Sequence, residues 1–163
     1  MRGARILAGV FVLFAVGAKA EEGVDALFSA TMTDIHGNSM PFSEFRGKPL
    51  IVKFWERICT PCRDEFPVLI ALQKKYKKQG LTVLGIALEK EPDKVRDFLI
   101  AYEVNYPVAL AGEQGIPLMQ AFGNEGALLP FTLFIDRRGE VVFRKVGVFK
   151  KSDFQGMAGK LLQ

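Results

Sequence analysis

Two cysteines, Cys59 and Cys62, stand either side of Thr60-Pro61, between an apolar run and a helical pattern. No other feature constrains the chain as much. They are the only cysteines in 163 residues. The run before them, Leu50-Ile51-Val52-Lys53-Phe54-Trp55, lacks polar alternation and predicts a central strand buried on both faces. The pattern after them starts near Pro61, with Phe66, Leu69, Ile70 and Leu72 apolar, and predicts one amphipathic helix ending at Gly80. A lone CxxC is half of a zinc site. Zinc takes four ligands, or three and a water, but there is no second CxxC and the single histidine, His36, lies far upstream. A structural disulfide is the other bland reading, yet so short a loop constrains the unfolded chain very little. Strand, CxxC, helix is the arrangement of a dithiol–disulfide redox centre.

The N-terminus has the form of a targeting segment. Arg2 and Arg5 precede an apolar stretch, Ile6 to Ala18, and Ala18-Lys19-Ala20 has the A-x-A form of a cleavage site. This predicts a secretory signal over residues 1–20 and a domain over 21–163. An uncleaved anchor is the alternative, but a spanning helix needs about 20 apolar residues. Without a cysteine near the cleavage site, a lipoprotein anchor is excluded. Arg2, Arg5 and Lys19 leave with the signal, so 22 basic residues fall to 19 against 18 acids, and the net charge of +4 falls to +1. A charge so near zero gives no reason to invoke nucleic acid. Lys74, Lys75, Lys77 and Lys78 form a solvated basic face at a helix end. Export would place the two thiols where disulfides persist.

The remaining pattern alternates strands and helices. Leu27 to Asp34 is a strand candidate, with turn chemistry at His36-Gly37-Asn38 and a return over Met40 to Phe42. Ser43 to Phe45 is a short turn closed by Gly47. Leu81 to Leu88 is a second buried strand. Pro92 opens a helix striped by Val95, Phe98, Leu99 and Tyr102. Tyr106 to Leu110 is a short strand, and Ile116 to Phe122 a short helix before Gly123. Phe131 to Ile135 and Val141 to Val146 form a hairpin around Asp136-Arg137-Arg138-Gly139. A last helix spans Asp153 to Leu162, capped by Ser152 or Asp153. The order predicts an α/β fold with a mixed sheet, the cysteines at the C-terminal end of a central strand.

With these segments in place, the chain resembles the exported TlpA/ResA-like thiol–disulfide oxidoreductases of the thioredoxin fold. The matching residues are Leu50 to Trp55, Cys59-Thr60-Pro61-Cys62-Arg63-Asp64-Glu65-Phe66-Pro67, Leu129-Pro130-Phe131-Thr132-Leu133-Phe134-Ile135-Asp136 and the Gly139 turn. Phe28 to Lys48 resembles the hairpin this subfamily adds, and residues 89–123 its helical insertion. The resemblance therefore implies a thioredoxin fold with an N-terminal β-hairpin extension and a central helical insertion. Two positions depart from the family. Ile58 replaces the usual aromatic before the first cysteine, and Lys53 stands where the family has Asn, an apolar residue or, in thioredoxin, a buried Asp.

Cys59 at a helix start is the candidate nucleophile, because unpaired N–H groups and the helix dipole favour its thiolate. Cys62, one turn in, is the resolving thiol. Thr60 and Pro61 are the intervening dipeptide, which in this fold helps tune potential. Sequence alone favours a trans Leu129–Pro130 bond. The resemblance implies a cis bond facing the cysteines, with the Leu129 backbone free to bind an extended substrate segment. Glu65 matches an acid the family carries near its dithiol and could accept the Cys62 proton; the other reading is a surface acid. Lys53 in a buried strand either pairs with Glu65 beneath the cysteines, or runs to the sheet edge and only packs. Arg57 is expected as an exposed cation at the rim, and His36 as a turn residue.

The leading expectation is a soluble monomer in the periplasm, or otherwise outside the cytoplasm, without cofactor or metal. It would reduce disulfides in exported proteins such as apocytochrome c and draw electrons from a membrane thiol donor, as the resemblance implies. An oxidant or isomerase on the same fold is the first alternative. A peroxidase is disfavoured because Glu56 stands where that chemistry wants Thr. Copper delivery is disfavoured because the CxxxC and downstream histidine are missing.

Overall fold

The computed structural model describes residues 14–162, of which 14–20 are described by backbone alone. Arg2, Arg5 and the apolar stretch up to residue 13 lie outside the described residues. The elements are α1 (Phe14–Ser29), β1 (Thr31–Asp34), β2 (Ser39–Pro41), β3 (Leu50–Trp55), α2 (Thr60–Asp64), α3 (Phe66–Tyr76), β4 (Thr82–Ala87), α4 (Pro92–Ala101), β5 (Val108–Leu110), α5 (Gly115–Ala121), β6 (Phe131–Ile135), β7 (Val141–Val146) and α6 (Lys151–Leu161). Seven strands form one sheet in the order β2-β1-β5-β4-β3-β6-β7. β3, β4 and β5 run parallel, and the remaining pairs are antiparallel. The mixed α/β sheet expected from the sequence is present, with β3 near its middle.

Alternation along β3 sorts the core into two layers. Leu50, Val52 and Phe54 face one cluster with Val24, Leu27, Phe28, Met119 and Phe122. Ile51 and Trp55 face the other, with Cys62, Phe66, Leu69, Val95 and Phe154. Every residue of β3 is buried, including Lys53, which by period lies on the second face. Its neighbours across the sheet are Gly85 on β4 and Thr132 on β6.

Three expectations need correction. Leu27 to Ser29 is helical and only Thr31–Asp34 is strand. Val24, Leu27 and Phe28 recur at helical spacing, and tertiary burial against α5 overrides the β-like local composition. A Cβ at Gly23 would lie 2.7 Å from the Phe122 ring, so glycine is what lets α1 seat there. The helix after the cysteines is two helices, broken at Glu65 (φ −91°, ψ −13°). Pro67 lacks the N–H that would continue the ladder to Arg63, which accounts for the break. The last helix begins at Lys151, and its N-cap, Lys150, has no side-chain cap bond. Ser152 and Asp153 therefore sit inside the first turn, where Asp153 complements the dipole.

Gln73 shows how α3 is fixed to the sheet. Its buried side chain donates to the Leu81 carbonyl (3.1 Å) and accepts from the Val83 N–H (2.7 Å). Gln73→Leu leaves both backbone groups unpaired and is expected to destabilise the protein by about 2–3 kcal/mol in urea unfolding. A change below about 0.5 kcal/mol would show that the tie contributes little.

Candidate active site

Cys59 is the N-cap of α2, with extended φ and ψ of −77° and 94°. Its carbonyl accepts from the Cys62 and Arg63 N–H groups at 3.0 and 3.2 Å, and its Sγ accepts from the Cys62 N–H at 3.3 Å. The two cysteines form a disulfide with Cα atoms 5.2 Å apart. Cys62 is fully buried and Cys59 half-buried. One sulfur is thus reachable from solvent at a helix start while the other backs onto the core. Thr60 is exposed, its hydroxyl accepting from Arg63 Nη2 at 3.1 Å, and Pro61 occupies the first turn. Ile58, beside the nucleophile, is 83% exposed.

The break at Glu65 turns that carboxylate inward. Glu65 is 2% exposed and Lys53 is fully buried. Lys53 Nζ donates to Glu65 Oε2 and, at 3.1 Å, to Thr132 Oγ1. Glu65 Oε1 accepts from the Phe149 N–H at 2.6 Å. The packing-only reading of Lys53 and the surface reading of Glu65 both fall: the two residues pair in the layer that holds Cys62. Thr132 is the one polar residue in Phe131–Ile135, a signal the sequence offered and the motif reading passed over. The Phe149 N–H is a backbone group at the β7–α6 junction, and nothing in the sequence marks it.

Leu129–Pro130 is cis. The Pro130 carbonyl accepts from the Gly147 N–H at 2.8 Å, and Leu129, like Cys59, packs against the cluster that includes Cys62. Gly147 is two residues from Phe149, so one short loop ties the proline turn to Glu65. Among the described residues the Leu129 backbone N–H and C=O take no partner. Arg57 differs from the exposed cation expected. It is 27% exposed and paired with Glu89 at 2.5 Å and Glu91 at 3.6 Å. His36 is exposed in the β1–β2 turn as expected.

Comparison with known proteins agrees with this geometry. Residues 15–161 match the Redoxin family. The chain belongs to the Redoxin family. This redoxin is 30% identical over 141 residues to thiol-disulfide oxidoreductase ResA of Geobacillus kaustophilus, covering 86% of this chain and 75% of the relative. It is 29% identical over 140 residues to ResA of Bacillus subtilis, with the same coverage. A thioredoxin-family thiol:disulfide interchange protein from Chlorobium tepidum superposes with a TM-score of 0.71 at 29% identity, covering 83% of this chain and 94% of that one. The thioredoxin-like α/β fold and the resemblance to TlpA/ResA-like proteins both stand.

Burial pushes Lys53 down from its ordinary 10.5 to about 8, while the Glu65 charge and hydrogen bond pull it back up. The unfolded chain keeps the Lys53 proton up to about 10.5, so between about pH 8 and 10.5 the unfolded state binds more protons and stability rises with pH. Tyr106 works in the opposite sense. Burial pushes its hydroxyl far above the ordinary 10.0, so above that pH the folded state holds the extra proton and stability falls. The clean window is therefore pH 8 to 10. Across it, wild-type stability measured in urea is expected to rise relative to Lys53→Met/Glu65→Gln, which carries neither charge. Parallel pH profiles would show that Glu65 fully offsets burial and that the Lys53 ammonium is not depressed.

Proposed function

We propose that this thiol–disulfide oxidoreductase works outside the cytoplasm as a reductant of disulfides in exported proteins. The observation that carries the direction is electrostatic. A strong oxidant stabilises its reduced form through a thiolate of very low pKa. Here Lys53, in the buried layer that holds Cys62, is matched by Glu65, and Arg57 before Cys59 is matched by Glu89. With these two cations compensated, the helix start and Arg63, whose side chain meets the neutral Thr60 hydroxyl, are left to favour the Cys59 thiolate, and only moderately.

In the proposed cycle the Cys59 thiolate attacks one sulfur of a substrate disulfide. A mixed disulfide forms and the first substrate thiolate leaves. Cys62, its proton lost, attacks Cys59 Sγ, closes the Cys59–Cys62 disulfide seen here and releases the second thiolate. Two electrons pass to the substrate, whose thiolates are protonated from solvent. Glu65 lies three residues beyond Cys62 and is the nearest buried carboxylate in sequence to take its proton. Lys53 holds Glu65 in place and offsets its charge. An external dithiol, in this reading a membrane thiol carrier, returns the two electrons. The Leu129 backbone, beside the cis-proline, offers an unpaired N–H and C=O to an extended substrate segment.

The export half rests on Arg2, Arg5, the apolar Ile6 to Ala18 and the Ala18-Lys19-Ala20 site. The Ala20–Glu21 bond lies within α1, and the buried residues Val24, Leu27 and Phe28 follow it, so cleavage leaves the segment that packs on the domain. The relatives named ResA support a substrate class of exported cysteine proteins, with apocytochrome c before haem attachment the first to test.

Cys62→Ala removes the resolving thiol and is expected to accumulate mixed disulfides through Cys59 with exported cysteine proteins, released by dithiothreitol. Cys59→Ala/Cys62→Ala should accumulate none. Equal capture by both variants, or capture confined to cytoplasmic proteins, would overturn the proposal.

A further inference from the structure

A second ion pair holds the loop that delivers Cys59. Glu89, in the β4–α4 connection, accepts from the Arg57 backbone N–H and from Arg57 Nε, each at 2.5 Å. The pair is shielded, with side chains 27% and 12% exposed. One carboxylate thus fixes both the backbone and the side chain of the residue two before the nucleophile. The same connection meets the strand end below: the Leu88 N–H donates to the Trp55 carbonyl at 3.0 Å. The turn so held finishes on the nucleophile, because the Cys59 N–H donates to the Glu56 carbonyl at 3.2 Å. The exchange chemistry uses neither Arg57 nor Glu89.

We infer that Glu89 is a positioning residue for the dithiol: it holds the Glu56–Ile58 turn and neutralises Arg57, and so restrains formation of the Cys59 thiolate. This rests on the redox reading of Cys59–Cys62 and deepens it.

The charges around the turn are few enough to follow. Arg63 on α2 reaches Thr60. Lys53 and Glu65 compensate each other below. Lys90 pairs with Glu113, and Lys94 with Glu91. Glu56 is held above the ordinary carboxylate range by burial and by the Glu89 charge, so Glu89 acts electrostatically on the turn as well as through its hydrogen bonds. An uncompensated cation beside a thiol favours the thiolate. Released from Glu89, Arg57 would keep only Glu91, at 3.6 Å, more exposed and shared with Lys94, and would be a largely uncompensated cation two residues from Cys59.

The test reads the Cys59 thiolate by ultraviolet absorbance across a pH titration, and the dithiol by equilibration with glutathione. Glu89→Gln removes the charge and keeps the shape. It is expected to lower the Cys59 pKa and to shift the glutathione equilibrium toward the reduced protein by about threefold or more. Arg57→Gln leaves Glu89 bare and is expected to move both readouts the other way. A turn that had merely loosened would move both variants in one direction. Shifts of the same sign, or no shift beyond about 1.5-fold in either variant, would overturn the inference. Should Glu89→Gln fail to fold by circular dichroism, Arg57→Gln decides alone: a raised Cys59 pKa supports the inference and an unchanged or lowered one defeats it. A wild-type protein that does not exchange with glutathione defeats the redox reading and this inference together. A wild type that exchanges while its variants do not move defeats only the role of Glu89.

Discussion

A buried ion pair between Lys53 and Glu65 is the interaction on which the site depends. Two charges leave water here, and the penalty of several kcal/mol for each is offset only because their remaining hydrogen-bonding groups are met. Thr132 takes a second Lys53 hydrogen, and the Phe149 N–H takes the second Glu65 oxygen. The pair thereby joins β3, the α2–α3 junction, β6 and the loop after β7. Loss of one partner alone would strand a buried charge and destabilise by about 3–5 kcal/mol, whereas an apolar pair could match the stability. What the charges add is specificity. They draw the α2–α3 break onto the sheet, and that break, made by Pro67, sets Cys62 against the core.

The same logic of compensated charge runs through the neighbourhood of the dithiol. Lys53 answers Glu65 in the buried layer that holds Cys62, and Arg57 answers Glu89 at the turn before Cys59. A helix start already favours a thiolate, and added cations would drive the couple toward an oxidant. Matching Lys53 and Arg57 with carboxylates holds that tendency in check. The proposed substrate path uses the same geometry: the exposed Ile58, the half-buried Cys59 and the Leu129 backbone, which takes no partner among the described residues in the bend before β6.

Much of this was legible in the sequence because it is local or strictly periodic. The run of β3, apolar but for Lys53, marked a central strand, and the CxxC at its end marked the candidate site. Lys53 stood out as a charge in a buried strand and Glu65 as its partner in one of two readings, but the choice between pairing and packing turns on a helix break that only packing reveals. The cis bond at Leu129–Pro130 came from family resemblance, since local energetics favour trans. Leu27 to Ser29 was misjudged because β-like composition was weighed without the α5 surface it packs on. Arg57 was misjudged because Glu89 lies across the β3–β4 pair, where chain spacing carries no signal. The cap of α6 failed for a simpler reason: the helix starts at Lys151, one residue before Ser152 and two before Asp153, the polar residues that would have capped it.

The reduction potential of the Cys59–Cys62 couple tests the central claim most directly. Equilibration of the wild-type protein against glutathione or thioredoxin should give a value near about −250 mV, the region of dithiols that donate electrons. A value near about −120 mV would mark a couple whose reduced form is strongly stabilised. It would show that the carboxylates do not restrain the Cys59 thiolate and that the protein oxidises its substrates.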